Sequence, residues 1–233
     1  MKRIGVLTSG GDTPGMNAAI RAVFKTGVDI DLQVMGIYHG YKGLIEGRVG
    51  YLAHADVESK MHKGGTILRT ARSEEFKTEG GIEKAISVLR AYEIEGLIVI
   101  GGDGSFKGAD ALSKRGIPVI GIPGTIDNDM GYTDFTIGFD TAVNNVMNEI
   151  YKIRDTMRAH DRVGVIEVMG RRCGDIALWA GVAGAADIIL VPERPLSWAD
   201  AANRLAANKL RGQLTSIVMI AEGAGKAEDF CEY

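Results

Sequence analysis

Leu97-Ile98-Val99-Ile100-Gly101-Gly102-Asp103-Gly104-Ser105 is a short apolar, β-branched run that breaks into glycines and a carboxylate. A continuous apolar run of this length suits a strand buried on both faces, as in a parallel sheet. The same punctuation recurs along the chain. Apolar runs occupy Ile4–Leu7, Val34–Tyr38, Pro118–Ile122, Val163–Val168, Ile188–Val191 and Ile217–Ala221. Helical patterns lie between them at Asn17–Asp29, Ile82–Tyr92, Ser105–Lys114, Thr141–Met157 and Ser197–Leu210. In the fourth, Val143, Val146, Ile150, Ile153 and Met157 keep to one face. In the last, Ser197 stands as N-cap with Asp200 three residues on. Strands alternating with helices give an α/β fold with a mostly parallel sheet.

Such sheets bind ligands beyond the carboxyl ends of their strands. The residues found there are Ser9-Gly10-Gly11-Asp12, Gly101-Gly102-Asp103-Gly104-Ser105, Pro123 to Asp129, Met169-Gly170-Arg171-Arg172 and Glu222-Gly223-Ala224-Gly225. Five strand ends thus carry small residues and charge together, which points to a functional cleft. Gly/Asp turns are also ordinary punctuation in α/β chains.

Composition narrows the class. The chain has 233 residues, enough for one or two domains with real cores. Hydrophobic residues make up 45% and charged residues 24%, ordinary for a globular protein. This argues against disorder and against a disulfide scaffold. Thirty-two glycines are roughly twice the usual share, without a collagen-like period. The net charge of −3 offers no general field for nucleic acid. The longest uncharged apolar run, Ile176–Ala186, is too short for a membrane span. The N-terminus has no apolar stretch of signal-peptide length, so a cytoplasmic chain is expected. Cys173 and Cys231 form no CxxC, and His39, His54, His62 and His160 form no ligand spacing.

Several motifs are absent. There is no GxxxxGK(S/T), no GxGxxG, no GxSxG and no HExxH. What remains is less standard. The turn Ser9–Gly15 precedes a helix, with Pro14 suited to its first position. Free amides there would bind phosphate, or the turn is a plain connection. In Gly101–Ser105, Ser105 could cap the next helix and leave Asp103 to face phosphate-bound Mg²⁺, or Asp103 itself makes the turn. In Thr125-Ile126-Asp127-Asn128-Asp129, extended chain would turn a hydroxyl and two carboxylates to one side. One carboxylate could then act as base and the other hold metal or substrate; an Asx-rich turn is the plain alternative. Arg69, Arg72, Arg162, Arg171 and Arg172 fall in or near loops and suit phosphate, or are surface charges.

Together, Ile4–Asn17, Gly101–Ser105, Pro123–Asp129 and Glu167–Arg171 resemble the ATP-dependent 6-phosphofructokinases of the bacterial type, and the resemblance runs along the whole chain. It implies two Rossmann-like three-layer α/β/α domains, an ATP-binding one over 1–138 and a sugar-phosphate one over 139–233. It implies transfer of the ATP γ-phosphoryl group to the 1-hydroxyl of fructose 6-phosphate with Mg²⁺, the committed step of glycolysis. Asp127 would be the base. Arg72 and Arg171 would stabilise charge, Thr125 would position the γ-phosphate, and Asp103 and Asp129 would serve the metal and phosphates. Gly11, Arg72, Ser73, Gly102, Asp103, Gly104, Ser105 and Gly108 would form the ATP site, with Tyr41 and Lys77 near it. Thr125, Ile126, Asp127, Met169, Gly170, Arg171 and Glu222 would hold the sugar phosphate. Arg162 would come from a neighbouring subunit of a homotetramer.

The resemblance also bears on donor and regulation. Pyrophosphate-using relatives typically carry Asp at 104 and Lys at 124; both are glycine here, which favours ATP. Family chains normally continue well beyond Tyr233, with further sugar-phosphate ligands and a return to the first domain, so a truncated chain is expected. Arg21, Lys25, Arg154, Ala185, Asp187, Arg211 and Gln213 fall on a family site for ADP or phosphoenolpyruvate. Asp187 stands where Glu is common and Gln213 where Lys is. His54 and Ala55 stand where Arg and Tyr are common, so muted allostery is expected. Two other readings compete. A lipid or NAD kinase also carries a Gly-Gly-Asp-Gly turn, but leaves Thr125–Asp129 and Met169–Arg171 unexplained. A non-catalytic nucleotide sensor would be marked by loss of Asp103 or Asp127, and both are present.

Overall fold

A computed structural model describes residues 2–233. The chain folds as two compact α/β units. The first runs up to Thr125 and includes Met130–Gly138; the second comprises Ile126–Asp129 and Phe139–Tyr233.

The first unit holds strands β1 (Arg3–Thr8), β2 (Gln33–Ile37), β3 (Val49–Tyr51), β4 (Gly96–Gly101), β5 (Val119–Thr125) and β6 (Ile137–Gly138). Its helices are α1 (Met16–Asp29), α2 (Gly40–Ile45), α3 (His54–Val57), α4 (Glu79–Ala91) and α5 (Asp103–Ser113), with a 3₁₀ turn at Glu75–Lys77. The strands lie in the order β3-β2-β1-β4-β5-β6, parallel except for β3. Alternation along the central strands loads both faces. Leu7, Leu97 and Val99 pack toward α2, α4 and α5; Ile4, Val6 and Ile100 pack toward α1. Two separate apolar layers therefore sandwich the sheet, which is why its strands read as unbroken apolar runs.

The second unit holds β7 (Val163–Val168), β8 (Ile188–Leu190) and β9 (Ser216–Ala221), all parallel in the order β7-β9-β8. Its helices are α6 (Phe139–Ala159), α7 (Asp175–Ala183), α8 (Trp198–Leu210) and α9 (Ala227–Glu232). The central strand β9 is buried throughout. Ile217 and Met219 pack with α6 and α7, while Val218 and Ile220 face the layer of Ala201 and Phe230. The expected α/β class with mostly parallel sheets is thus the observed one. No described helix is long and apolar enough to cross a membrane.

Ser197 caps α8 as expected, its Oγ accepting from Asp200 N–H at 3.1 Å. The run over Pro118–Ile122 is a strand, yet Ile120 is 66% exposed, so β5 is not covered on both faces. Pro14 is not the first helical residue. Gly15 caps α1 in the left-handed region (φ 90°), and the helix starts at Met16. A side chain on Gly15 would meet Ile137 Cγ2 at 2.8 Å, so conformation and space both select glycine there.

Candidate functional site

In the first unit, β1 lies between β2 on one side and β4 on the other. The connections leave in opposite directions at this point, which opens a crevice at the carboxyl ends of β1 and β4. The two longest glycine turns sit there. Ser9 N–H donates to the Ile100 carbonyl at 3.0 Å, which ties the turns together. A Cβ on Gly101 would lie 2.5 Å from the Ser9 carbonyl oxygen and 2.4 Å from Ser105 Oγ. Gly11 and Gly104, in contrast, face open space. The first set of glycines permits the packing and the second leaves room beside it.

Gly102, not Ser105, is the N-cap of α5. Its extended backbone starts the helix one turn earlier than the serine reading expected, and Ser105 is buried inside the first turn. Asp103 takes the first helical position, where the positive end of the helix favours a carboxylate. The carboxylate is half exposed and pairs with Lys107 at 2.7 Å. Thr125 closes β5 beside Gly102: a Cβ on Gly102 would lie 3.6 Å from its Cβ. The Thr125 carbonyl accepts from Thr136 Oγ1 at 2.6 Å.

Tyr41 and Gly108 are one feature. The Tyr41 ring is buried, stacks on Phe76 at 4.0 Å, and donates its hydroxyl to the Ser105 carbonyl at 2.6 Å. Burial pushes its phenol above the ordinary tyrosine range, so it remains a donor. A Cβ at Gly108 would strike this ring at 2.7 Å. Tyr41 therefore supports α5 from beneath rather than presenting a free face. Ser73 Oγ accepts from Phe76 N–H at 3.2 Å, and Lys77 pairs with Glu74 at 2.8 Å. Arg72 is exposed and makes no ion pair among the described residues.

After Thr125, the segment 126–129, which belongs to the second unit, is not extended. It bends at Ile126 and Asp127, and Asn128 adopts φ 53°. The expected side-by-side alternation is thereby lost, yet the carboxylates still converge. Arg171 Nε lies 3.9 Å from Asp127 Oδ2, and its other arm lies 3.8 Å from Asp129 Oδ2. The Asn128 amide donates to Asp175 Oδ2 at 2.8 Å, which fixes the bend. Asp127 is buried (7% exposed), whereas the Arg171 side chain is 67% exposed. The pair joins a sheltered carboxylate to a guanidinium that reaches into solvent.

Arg171 itself is held in the left-handed region (φ 56°), after Gly170 at φ 143°. Glu222 Oε1 accepts from both N–H groups, Gly170 at 3.0 Å and Arg171 at 2.6 Å. Met169 beside them is 60% exposed. Gly170, Arg171, Glu222, Asp127 and Asp129 thus form one cluster, with Met169 next to it in the chain. Arg162 does not join it. It precedes β7 while Met169 follows that six-residue strand, which separates them by roughly 20 Å.

Several residues on the expected effector positions are engaged within their own units. Arg154 donates to the Gly184 and Ala185 carbonyls, the latter at 2.7 Å. Asp187 accepts from the Gln213 amide and, at 2.8 Å, from Ile217 N–H. In the first unit Lys25 lies 3.3 Å from His54 Nδ1 and 3.7 Å from Glu58, with Arg21 one turn earlier on α1. Arg211 ends α8.

A β3-β2-β1-β4-β5-β6 sheet with glycine turns at its switch point places the chain among the open α/β proteins whose crevice lies at the carboxyl ends of the strands. Comparison with known proteins makes this specific. The phosphofructokinase family profile matches residues 3–233, and the chain belongs to that family of kinases. It is 56% identical over 228 residues to an ATP-dependent 6-phosphofructokinase of Clostridium novyi, covering 98% of this chain and 72% of the relative. It is 55% identical to one from Clostridium botulinum, covering all of this chain and 73% of the relative. Phosphofructokinase from Saccharomyces cerevisiae superposes with a TM-score of 0.92 at 36% identity, over 100% of this chain and 36% of that one. A pyrophosphate-dependent phosphofructokinase from Marinobacter aquaeolei gives 0.85 at 25% identity, over 97% of this chain and 61% of that one.

Proposed function

We propose that the chain transfers the γ-phosphoryl group of ATP to the 1-hydroxyl of fructose 6-phosphate, giving ADP and fructose 1,6-bisphosphate. The observation that carries this reading is the convergence of Asp127 and Asp129 on the Arg171 guanidinium. Phosphoryl transfer needs positioning and charge neutralisation more than covalent chemistry. A sheltered carboxylate beside a cation is suited to accept a hydroxyl proton, and Asp127 is assigned that role. Arg171 and Arg72 balance charge on the transferring group. Thr125 and the amides at Gly11 and Gly102–Gly104 orient the phosphates, with Tyr41, Ser73, Lys77, Ser105 and Gly108 shaping the nucleotide side. Ile126, Met169, Gly170, Arg171 and Glu222 hold the sugar phosphate. Residues 1–138, apart from Ile126 and Asp127, are assigned to ATP and 139–233 to the sugar.

The donor set fits Mg²⁺ carried on phosphates. That ion prefers one or two carboxylates beside phosphate oxygens and water. Asp103 offers a half-exposed carboxylate whose partner, Lys107, is itself exposed and can yield to a cation. Asp103 and Asp129 would hold it, and it would neutralise phosphate charge. A coupled assay of ADP release tests the proposal. Release should require both Mg-ATP and fructose 6-phosphate; fructose-independent release would contradict it.

ATP rather than pyrophosphate follows from room at Gly104. The space beside it is empty of protein, so Gly104→Asp should fold normally and act on the ligand alone. Its carboxylate would repel the nucleotide phosphates. kcat/KM for ATP is expected to fall at least about 100-fold, some 3 kcal/mol, at unchanged melting temperature. Unchanged ATP kinetics would refute the donor argument.

Arg162, at the far end of β7, is assigned to a neighbouring subunit of a cytoplasmic homotetramer. Regulation by ADP and phosphoenolpyruvate is proposed to be muted. Arg154 and Asp187 already bond within their own unit, and Gln213 supplies no charge for a phosphate. Titrating either effector at subsaturating fructose 6-phosphate should change the rate less than about threefold, below 1 kcal/mol of coupling. A strongly sigmoidal response to phosphoenolpyruvate would overturn this.

A further inference from the structure

Residues 60–73 contain no helix or strand, and Leu68 is the one fully buried side chain among them. Leu68 and the partly buried Ile67 anchor its middle, where His39 N–H also donates to the Leu68 carbonyl at 2.8 Å. Polar side chains from elsewhere hold the stretches on either side. Asn17, buried in the first turn of α1, donates from Nδ2 to the Lys63 carbonyl at 3.0 Å and accepts at Oδ1 from Ile67 N–H at 2.8 Å. Thr8, the fully buried last residue of β1, donates to the Arg69 carbonyl at 2.9 Å. Its single proton is thereby used, so the 2.9 Å contact with Thr66 Oγ1 has Thr66 as donor. Thr70 Oγ1 donates to the Gly10 carbonyl at 2.6 Å, directly on the phosphate-side glycine turn. Arg72 follows two residues later.

We infer that Asn17 and Thr70 are positioning residues for Arg72. They latch its segment to the Gly10–Gly11 turn, so that the guanidinium and the open amides address the same phosphates. This rests on the reading of Arg72 as an ATP ligand. A displacement of about 1 Å can cost on the order of 100-fold where charge must meet charge.

The test is ATP binding to the full chain by calorimetry, which does not depend on turnover. Thr70 carries it, because its bond lies at the surface and its loss should leave the fold intact. Thr70→Val should weaken ATP about tenfold at unchanged melting temperature, and Thr70→Ser should bind as the parent does. Arg72→Ala should weaken ATP to a similar extent. In the Arg72→Ala background, Thr70→Val should add less than about twofold, because coupled residues are not additive. Asn17→Ala should behave like Thr70→Val where it folds. A Thr70→Val effect of equal size in both backgrounds, or none in either, would overturn the latch. Unchanged affinity in Arg72→Ala alone would overturn the reading of Arg72, and the latch with it.

Discussion

Asp127→Ser is expected to lower kcat about 10³-fold, close to 4 kcal/mol of transition-state stabilisation, with little change in melting temperature. The size follows from the proposed role. A general base contributes 10²- to 10⁴-fold, and serine can neither take up the proton nor balance Arg171. The small effect on stability is expected from the exposure of its ion-pair partner. Arg171 is two-thirds exposed, so it keeps water and Asp129 as partners when the Asp127 carboxylate is gone. Steady-state kinetics beside a thermal melt checks both halves. A variant that melts early and turns over normally would reverse the assignment, making Asp127 structural.

Gly101→Ala should damage fold and nucleotide binding together. The added carbon would sit 2.5 Å from the Ser9 carbonyl oxygen and 2.8 Å from Ser105 Cβ. Ser9 cannot retreat cheaply, because its N–H is bonded to the Ile100 carbonyl. Overpacking of this kind costs about 1–3 kcal/mol, or several degrees in melting temperature for a chain of this size. The strain falls on the two glycine turns, so ATP affinity should drop at least about tenfold. Gly11→Ala is the control: its Cβ meets no protein atom, so it should leave stability unchanged. Equal melting temperatures for Gly101→Ala and the parent would contradict the packing account.

What the sequence disclosed depended on period and punctuation. The central strands and the amphipathic helices were legible because each repeats a pattern its environment requires. The helix α6 shows this, with Val143 and Ile150 buried on the face its apolar spacing marked. Helix α7 is not legible in the sequence, because it is apolar on every side: Leu178, Trp179 and Val182 are exposed although Ile176 and Ala177 are buried. No helical period can emerge from such a stretch. Strands β3 and β6 are too short for any pattern.

At the site, residue identities were legible and backbone paths were not. The motif 125–129 announced two carboxylates, but their convergence arises from a bend at Ile126 and Asp127, a left-handed Asn128 and the strained arginine across from them. Ser105 offered itself as a cap by residue type, whereas the glycine before Asp103 took the position. The Thr8–Asn17–Thr70 latch left one faint signal, a threonine ending an apolar run that is otherwise unbroken. Its partners lie 46 to 61 residues away, beyond the reach of any local pattern.

The most direct measurement is ³¹P NMR of the purified chain mixed with Mg-ATP and fructose 6-phosphate. The account predicts growth of fructose 1,6-bisphosphate and ADP signals in equal amounts, abolished by Asp127→Ser. ATP that persists in the presence of fructose 6-phosphate, or phosphate released to water in place of the bisphosphate, would contradict it.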